Sequence, residues 1–212
     1  MRMNKTQNIT GHASKIQTRE REQRLGQRGV TVWFTGLSAS GKSTIAGALE
    51  RRLFDDGHLV YWLDGDNVRT GLNADLGFSA EDRTENIRRI AETARLFNDA
   101  GLLVVAAFIS PSSADRINAC KVIGDDRFYE VYLDAPLEVC EARDPKGLYR
   151  KAREGIIPEF TGVSAPYEAP VAPALTLHTA TKSINECVEA LMSLLTDAGA
   201  LATGLGSSKN GY

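Results

Sequence analysis

Cysteine and histidine are both scarce in this chain, and neither is arranged for chemistry. Cys120, Cys140 and Cys187 stand far apart, with no CxxC pair, and His12, His58 and His178 are isolated. That excludes a disulfide framework and a zinc site, and it fits a reducing compartment. Long apolar runs are also missing. Leu102 to Ile109 is the longest that is nearly pure, less than half of the roughly 20 residues a membrane span needs. Charge of one sign is not in excess: 25 basic minus 27 acidic residues gives −2, no surplus that would favour nucleic acid or a membrane as partner. What is present, 42% hydrophobic and 25% charged residues in a chain of 212, suits one soluble domain with extensions.

The charge is unevenly spread. Residues 1–29 hold seven basic side chains (Arg2, Lys5, Lys15, Arg19, Arg21, Arg24, Arg28) against Glu20 and Glu22, so seven minus two gives +5 there and leaves −7 for the remainder. A transit peptide has this composition, but the segment shows little amphipathic periodicity and no apolar h-region. It is read as a partly ordered arm, and the chain as cytoplasmic. Asn8-Ile-Thr10 matches a glycosylation acceptor, by chance in such a chain. The other end, residues 197–212, turns Gly- and Ser-rich from Gly199 and is expected to be a mobile tail. Residues 30–196 are left as the domain.

Within it, short apolar runs alternate with helical patterns. Val30 to Phe34 reads as a strand, and Ile45, Leu49 and Leu53 repeat at helical spacing before Gly57. Leu59 to Leu63 is a second strand. Ser79-Ala-Glu-Asp82 resembles a capping box and announces a helix whose buried face is Ile87, Ile90, Ala91, Ala94 and Phe97. Leu102 to Ile109 has the continuous apolar character of a central parallel strand. A helix over 114–123, a strand over 129–133, a helix with Pro136 in its first turn that fails near Asp144-Pro145, a strand over 175–178 and a closing helix over 184–195 complete the series. The class is α/β: a parallel five-stranded sheet with helices on both faces. Its ligands should bind beyond the carboxyl ends of the strands. Residues 144–174 fit neither period and carry Lys146, Arg150, Lys151 and Arg153, which makes them a candidate basic lid.

Gly36-Leu-Ser-Ala-Ser-Gly41-Lys42-Ser43 satisfies G-x-x-x-x-G-K-[ST] between the first strand and the first long helix. Such a loop folds its N–H groups around phosphate oxygens at a positive helix end, Lys42 can reach the β and γ phosphates, and Ser43 can hold Mg²⁺. The apolar strand ends Phe108-Ile109-Ser110-Pro111 with no acid, unlike a motor ATPase or GTPase, and neither Asn-Lys-x-Asp nor a protein-kinase HRD or DFG set occurs. The nearest strand-end acids are in Asp64-Gly-Asp66-Asn-Val-Arg69. There an acid can order Mg²⁺ waters or take a proton from an acceptor hydroxyl, although Asp-Gly is also simply a turn. Arg69, Arg83, Arg88 and Arg89 suit an anionic acceptor, but Arg88 and Arg89 are neighbours on one helix and cannot both face one point. Phe78 and Phe160 lie in glycine-flanked loops, where an aromatic either stacks on a base or packs into the core. Spacing thus points to an ATP-dependent phosphotransferase acting on a small anionic acceptor.

The residues match more closely than a class. The phosphate loop, Leu63-Asp-Gly-Asp-Asn-Val-Arg69, Asp82-Arg-x-Glu-Asn-Ile-Arg-Arg89, Phe108-Ile-Ser-Pro111, Lys146-Gly-Leu-Tyr149, Phe160-Thr-Gly162 and Tyr167-Glu-x-Pro170 resemble, in order, the adenylylsulfate (APS) kinase family across about residues 28–196. The resemblance implies a three-layer P-loop kinase fold and transfer of the ATP γ-phosphoryl group to the ribose 3′-hydroxyl of adenosine 5′-phosphosulfate, giving PAPS and ADP. It also implies Mg²⁺ dependence and a homodimer. It carries ATP binding onto Gly36, Leu37, Ser38, Ala39, Ser40, Gly41, Lys42, Ser43 and Thr44 with Arg143, and the metal onto Ser43 and Asp64. Acceptor recognition falls on Asp66, Asn67, Val68, Arg69, Phe78, Arg83, Asn86, Ile109, Ser110, Lys146, Glu159 and Phe160; catalysis falls on Lys42, Asp64, Asp66 and Ser110. Ser110 is either a phosphoserine relay or a lining residue in direct transfer. After Pro111 the chain reads Ser112-Ser113 where many relatives carry Tyr-Arg. A non-catalytic PAPS-sensing module and a kinase for another small anionic acceptor are the alternatives.

Overall fold

The computed structural model describes residue 12 and residues 14–201, so the Asn8 acceptor sequence and residues 202–212 lie outside the described part. In chain order the elements are α1 (Thr18–Leu25), β1 (Thr31–Thr35), α2 (Lys42–Asp55), β2 (Val60–Asp64), α3 (Gly65–Arg69), α4 (Ala80–Asp99), β3 (Leu103–Ala107), α5 (Ser113–Ile123), β4 (Phe128–Asp134), α6 (Leu137–Arg143), α7 (Leu148–Arg153), β5 (Leu175–His178) and α8 (Ile184–Asp197). The five strands form one sheet in the order β2-β3-β1-β4-β5. Every pairing in it is parallel.

Period-two alternation along the buried central strands divides the core. Val32 and Phe34 of β1, with Leu103 and Val105 of β3, meet Ile45, Leu49 and Leu53 of α2 and Leu191 and Leu195 of α8 on one face. Trp33, Val104 and Ala106 point to the other face, against Ile87, Ile90 and Ala94 of α4 and Ala119 and Ile123 of α5. Each such leucine or isoleucine contributes about 1.5–3 kcal/mol by leaving water, and truncating one to Ala costs about 2–5 kcal/mol. These two packed layers on one sheet are the three-layer arrangement expected for continuous apolar strands.

Helix ends follow local chemistry. Ser79 caps α4 by accepting the Asp82 N–H, but only half the box forms, because the Asp82 carboxylate accepts from the Gly77 N–H instead. Pro136 stands one residue earlier than expected, at the N-cap of α6 rather than within its first turn. Three helices escape the periodicity, the five-residue α3 and two others. Within 144–174, α7 is too short to show a stripe, starts from Gly147 in the left-handed region and buries only Tyr149 and Ala152. In the basic arm, α1 buries no residue at all, so hydrophobic spacing could not reveal it; it ends at a left-handed Gly26 and is held by ion pairs of Arg21 with Asp99 and of Glu22 with Arg127. Ala200 and Leu201, expected in a mobile tail, are buried; Arg28 N–H donates to Ala200 O, and Gln27 bridges Leu201.

Candidate active site

The strand order reverses around β1: the chain leaves it for β3 and β2 on one side and reaches β4 and β5 on the other. A crevice therefore opens at the carboxyl ends of β1 and β3, where Gly36 N–H approaches Ile109 O at 3.5 Å. A cavity of about 1220 Å³ occupies it, above the roughly 300–1,000 Å³ of a single-ligand pocket and large enough for two ligands side by side.

One wall is the phosphate loop. Gly36 packs so tightly that an added Cβ would lie 2.7 Å from Leu133 O, and Gly41 has a φ of +97° that would strain any residue with a side chain. Lys42 is buried and donates to the carbonyls of Gly36 at 2.9 Å and Leu37 at 2.6 Å. Burial lowers its pKa to about 8, opposed in part by Cys140 and Asp64 nearby. Ser43 Oγ donates to Asp64 Oδ2 at 3.0 Å, and Asp64 Oδ1 accepts the Asp66 N–H, which starts α3. Asp64 thus does two jobs that the sequence suggested as rivals: it caps a turn and it faces the phosphate loop. A hydroxyl beside a carboxylate is a hard oxygen pair suited to Mg²⁺. Among the described residues no three His, Cys, Asp or Glu converge.

The opposite wall comes from α3, α4 and the loop after β3. Asp66, Arg69, Phe78, Arg83, Asn86, Ile109, Ser110, Lys146, Glu159 and Phe160 all line the cavity, as do Ser38, Ala39, Thr44 and Arg143 on the loop side. Of the remaining expected residues, Gly36 and Leu37 receive the Lys42 ammonium, Ser40 O accepts from Thr179 Oγ1, Asn67 N–H turns to Asp64, and the Val68 side chain packs into the core. Arg69 and Arg83 differ in their free donors. Arg69 uses one nitrogen, Nη1, on the carbonyls of Leu76 and Gly77, while Arg83 spends Nε, Nη1 and Nη2 on Phe78 O, Thr161 Oγ1 and Glu159 O. Arg83 thereby ties the basic segment to α4. Arg88 and Arg89 do not line the cavity. They grip Glu85, whose pKa falls to about 2 through those hydrogen bonds, and Arg89 also holds Asp75.

Phe78 is exposed, with the Arg69 guanidinium 4.4 Å from its ring centroid. Phe160 is buried edge-on against Tyr149 at 5.0 Å, so it packs a small core of the basic segment while also lining the cavity. Lys146 forms an ion pair with Asp66 across the mouth. Three non-glycine residues have φ in the left-handed region among the described residues: Ala39 (58°), Ser110 (39°) and Glu159 (52°). All three line this one cavity, the pattern of strain concentrated at a functional site.

Several participants had no sequence signal. Asn73 is fully buried and donates to Asn86 Oδ1 at 2.9 Å, which anchors the side chain of the cavity-lining Asn86. Asp115 also lines the cavity and accepts from Thr84. Ser112 and Ser113, the departure after Pro111, act locally: Ser112 caps α5, and the Ser113 N–H donates to Glu168 Oε2 at 2.7 Å. Cys187 belongs to the core and touches the cavity from α8.

A family model described as adenylylsulphate kinase matches residues 28–178. The chain belongs to this family. It is 53% identical over 195 residues to an adenylyl-sulfate kinase of Clostridium acetobutylicum, covering 92% of this chain and 97% of that one. Among solved structures it is similar to the Mycobacterium tuberculosis APS kinase CysC in complex with AMPPNP and APS, with a TM-score of 0.78 and 52% identity over 80% of this chain and 99% of that one. A hexameric APS kinase from Thiobacillus denitrificans is 31% identical with a TM-score of 0.65, covering 89% of this chain and 32% of that one.

Proposed function

We propose that the chain transfers the γ-phosphoryl group of ATP to the 3′-hydroxyl of adenosine 5′-phosphosulfate, releasing PAPS and ADP. The observation that carries this reading is one cavity holding an intact phosphate loop at one end and the Arg69, Arg83 and Asn86 donors at the other. Transfer through a loose transition state asks mainly for alignment and charge stabilisation. Lys42 offers its ammonium to the migrating group. Ser43 and Asp64 would hold Mg²⁺, which would supply charge neutralisation for the phosphates when bound. Asp66, at the mouth beside Lys146, orients the acceptor hydroxyl and receives its proton. Arg69, with the larger share of free donors, reads the phosphosulfate together with Asn86, while Phe78 offers a ring face to adenine. Ser110 accepts from Trp33 Nε1 at 3.2 Å and is buried, which supports the lining role in direct transfer. The reading includes a cytoplasmic homodimer; sedimentation decides that state against a hexamer.

The test is to incubate the protein with Mg-ATP and APS and to measure ADP and PAPS together, with AMP as a second acceptor. Stoichiometric ADP and PAPS, with APS preferred over AMP, is expected. Tight nucleotide binding without ADP formation would favour the sensing module, and ADP formation only with a different acceptor would favour the other kinase.

A further inference from the structure

Arg116 is a charged side chain only 3% exposed that the reaction described above does not use. Its guanidinium reaches three separate segments: Nη1 donates to Ser110 O at 2.7 Å, Nη2 to Glu168 O at 2.7 Å, and Nε to Glu130 Oε1 at 2.6 Å. The Tyr167 ring lies alongside, its centroid 6.0 Å from the guanidinium carbon, and Tyr167 and Thr35 share a hydroxyl hydrogen bond of 2.9 Å. A buried arginine with all three nitrogens engaged ties together the segments it touches, because charge-assisted bonds withdrawn from water are costly to break.

One of the things it touches is strained. Ser110 has a φ of 39°, a conformation that a residue with a Cβ leaves unless its surroundings hold it there. Thr35 Oγ1 also reaches Ser110 O, but at 3.3 Å; the shorter, charge-assisted bond from Arg116 is the stronger clamp. Glu168 in turn runs its N–H to Pro111 O at 3.0 Å, so the strap at 166–169 and the Ser110 loop are bound to one another and both to Arg116.

We propose that Arg116 is a positioning residue for the acceptor: it holds the Ser110 loop in its left-handed geometry and locks the 166–169 strap beneath it, keeping the acceptor end of the cavity aligned with the phosphate loop. This rests on the reading that APS occupies the Ser110 end. A lysine cannot replace it, since an ammonium on a flexible stem lacks the planar fork that reaches three partners at once.

Steady-state kinetics of R116K are expected to show the KM for APS raised about tenfold while the KM for ATP stays within about twofold, since misplacement is confined to one end. The sharper test compares R116K in S110A and S110G backgrounds. Both lack the hydroxyl, but glycine adopts the left-handed conformation without strain and alanine does not. The loss of kcat/KM for APS caused by R116K should be several-fold smaller in S110G than in S110A. Equal losses in the two backgrounds, or KM values for ATP and APS rising together, would overturn the proposal. E130Q, which weakens the anchor of the guanidinium without changing its size, goes through the same backgrounds. It should give the same pattern at lower amplitude, so the test survives if R116K does not fold; equal losses there count equally against it. Wild-type turnover of APS is the control. Its absence defeats the acceptor assignment, whereas normal wild-type turnover without background dependence defeats only the role of Arg116.

Discussion

At the amino ends of the strands, buried polar groups close on one another. Gln27 satisfies three backbone groups with one amide, donating to Leu59 O and Gly101 O and accepting from the Leu59 N–H, each at 2.8 Å. Thr31 donates to Asn98, which donates to Leu102 O, and Glu22 accepts from both Arg127 and the Gly29 N–H. At the carboxyl ends the same kinds of group are left partly unspent. Lys42 holds only groups of its own loop, the Gly36 and Leu37 carbonyls and the Ser40 hydroxyl, Arg69 uses a single nitrogen on protein acceptors, and three side-chain-bearing residues sit in the left-handed region. One sheet thus carries a closed network at one end and an open, strained one at the other. The lesson is that polar residues built for stability finish their hydrogen bonds inside the protein, while those built for a ligand keep donors and strain in reserve.

Substitutions at the two ends should therefore fail in different ways. The largest effect is expected for Lys42→Ala, which should lower turnover by at least about 10²-fold while the melting temperature holds, because the ammonium serves transition-state charge and its only protein partners belong to its own loop. Turnover and a thermal melt on the same sample check it, and near-normal turnover would break the comparison. Asp64→Asn should follow, lowering turnover by about tenfold or more with a shift to higher Mg²⁺ requirement. The amide can still accept the Asp66 N–H, so folding should survive; a Mg²⁺ titration of turnover reads the difference. A loss of turnover with an unchanged Mg²⁺ dependence would remove the metal role.

Gln27→Ala should do the reverse. It strips partners from three backbone groups and should cost about 2 kcal/mol of stability, seen in a denaturant midpoint, with turnover per folded molecule unchanged. The smallest expected effect is one of pH. Burial lowers the Lys42 pKa from 10.5 to about 8, so between those values the unfolded chain binds the extra proton and the folded one does not. Stability gained from this residue should rise from about pH 8 to about 10.5, and be absent below, by an amount on the order of 1 kcal/mol once the side chain is allowed to swing toward the cavity. Denaturation of the nucleotide-free protein beside Lys42→Met across that range measures it. Wild-type stability that fell relative to Lys42→Met as pH rose would reverse the assignment.

Much of the fold and part of the candidate site were legible because they are written in short spacings. The run at 30–34 is apolar but for Thr31, the run at 102–109 is apolar throughout, and both become buried central strands, while the i, i+4, i+8 pattern of Ile45, Leu49 and Leu53 becomes the packed face of α2. The phosphate loop and the Asp64-to-Arg69 segment each lie within one local turn, where identity and spacing determine geometry. Segments whose order comes from ion pairs escaped this reading: α1 has no apolar stripe, and α7 is a turn and a half anchored by Tyr149.

The sequence by itself thus determined the alternation of elements, the site of phosphate binding and the family, since all three depend on residues close together in the chain. Which charges face the cavity was decided only by the tertiary structure. Arg83 and Arg89 sit on the same helix, yet one points at the loop 76 residues away and the other at Asp75 on the surface. Arg116 looks like an ordinary helical arginine until β4 and the 166–169 strap are folded over it. The left-handed backbone of Ser110 has no mark in composition at all. These features are set by contacts between segments tens of residues apart, whose register follows from strand order and core packing, and no local period records them.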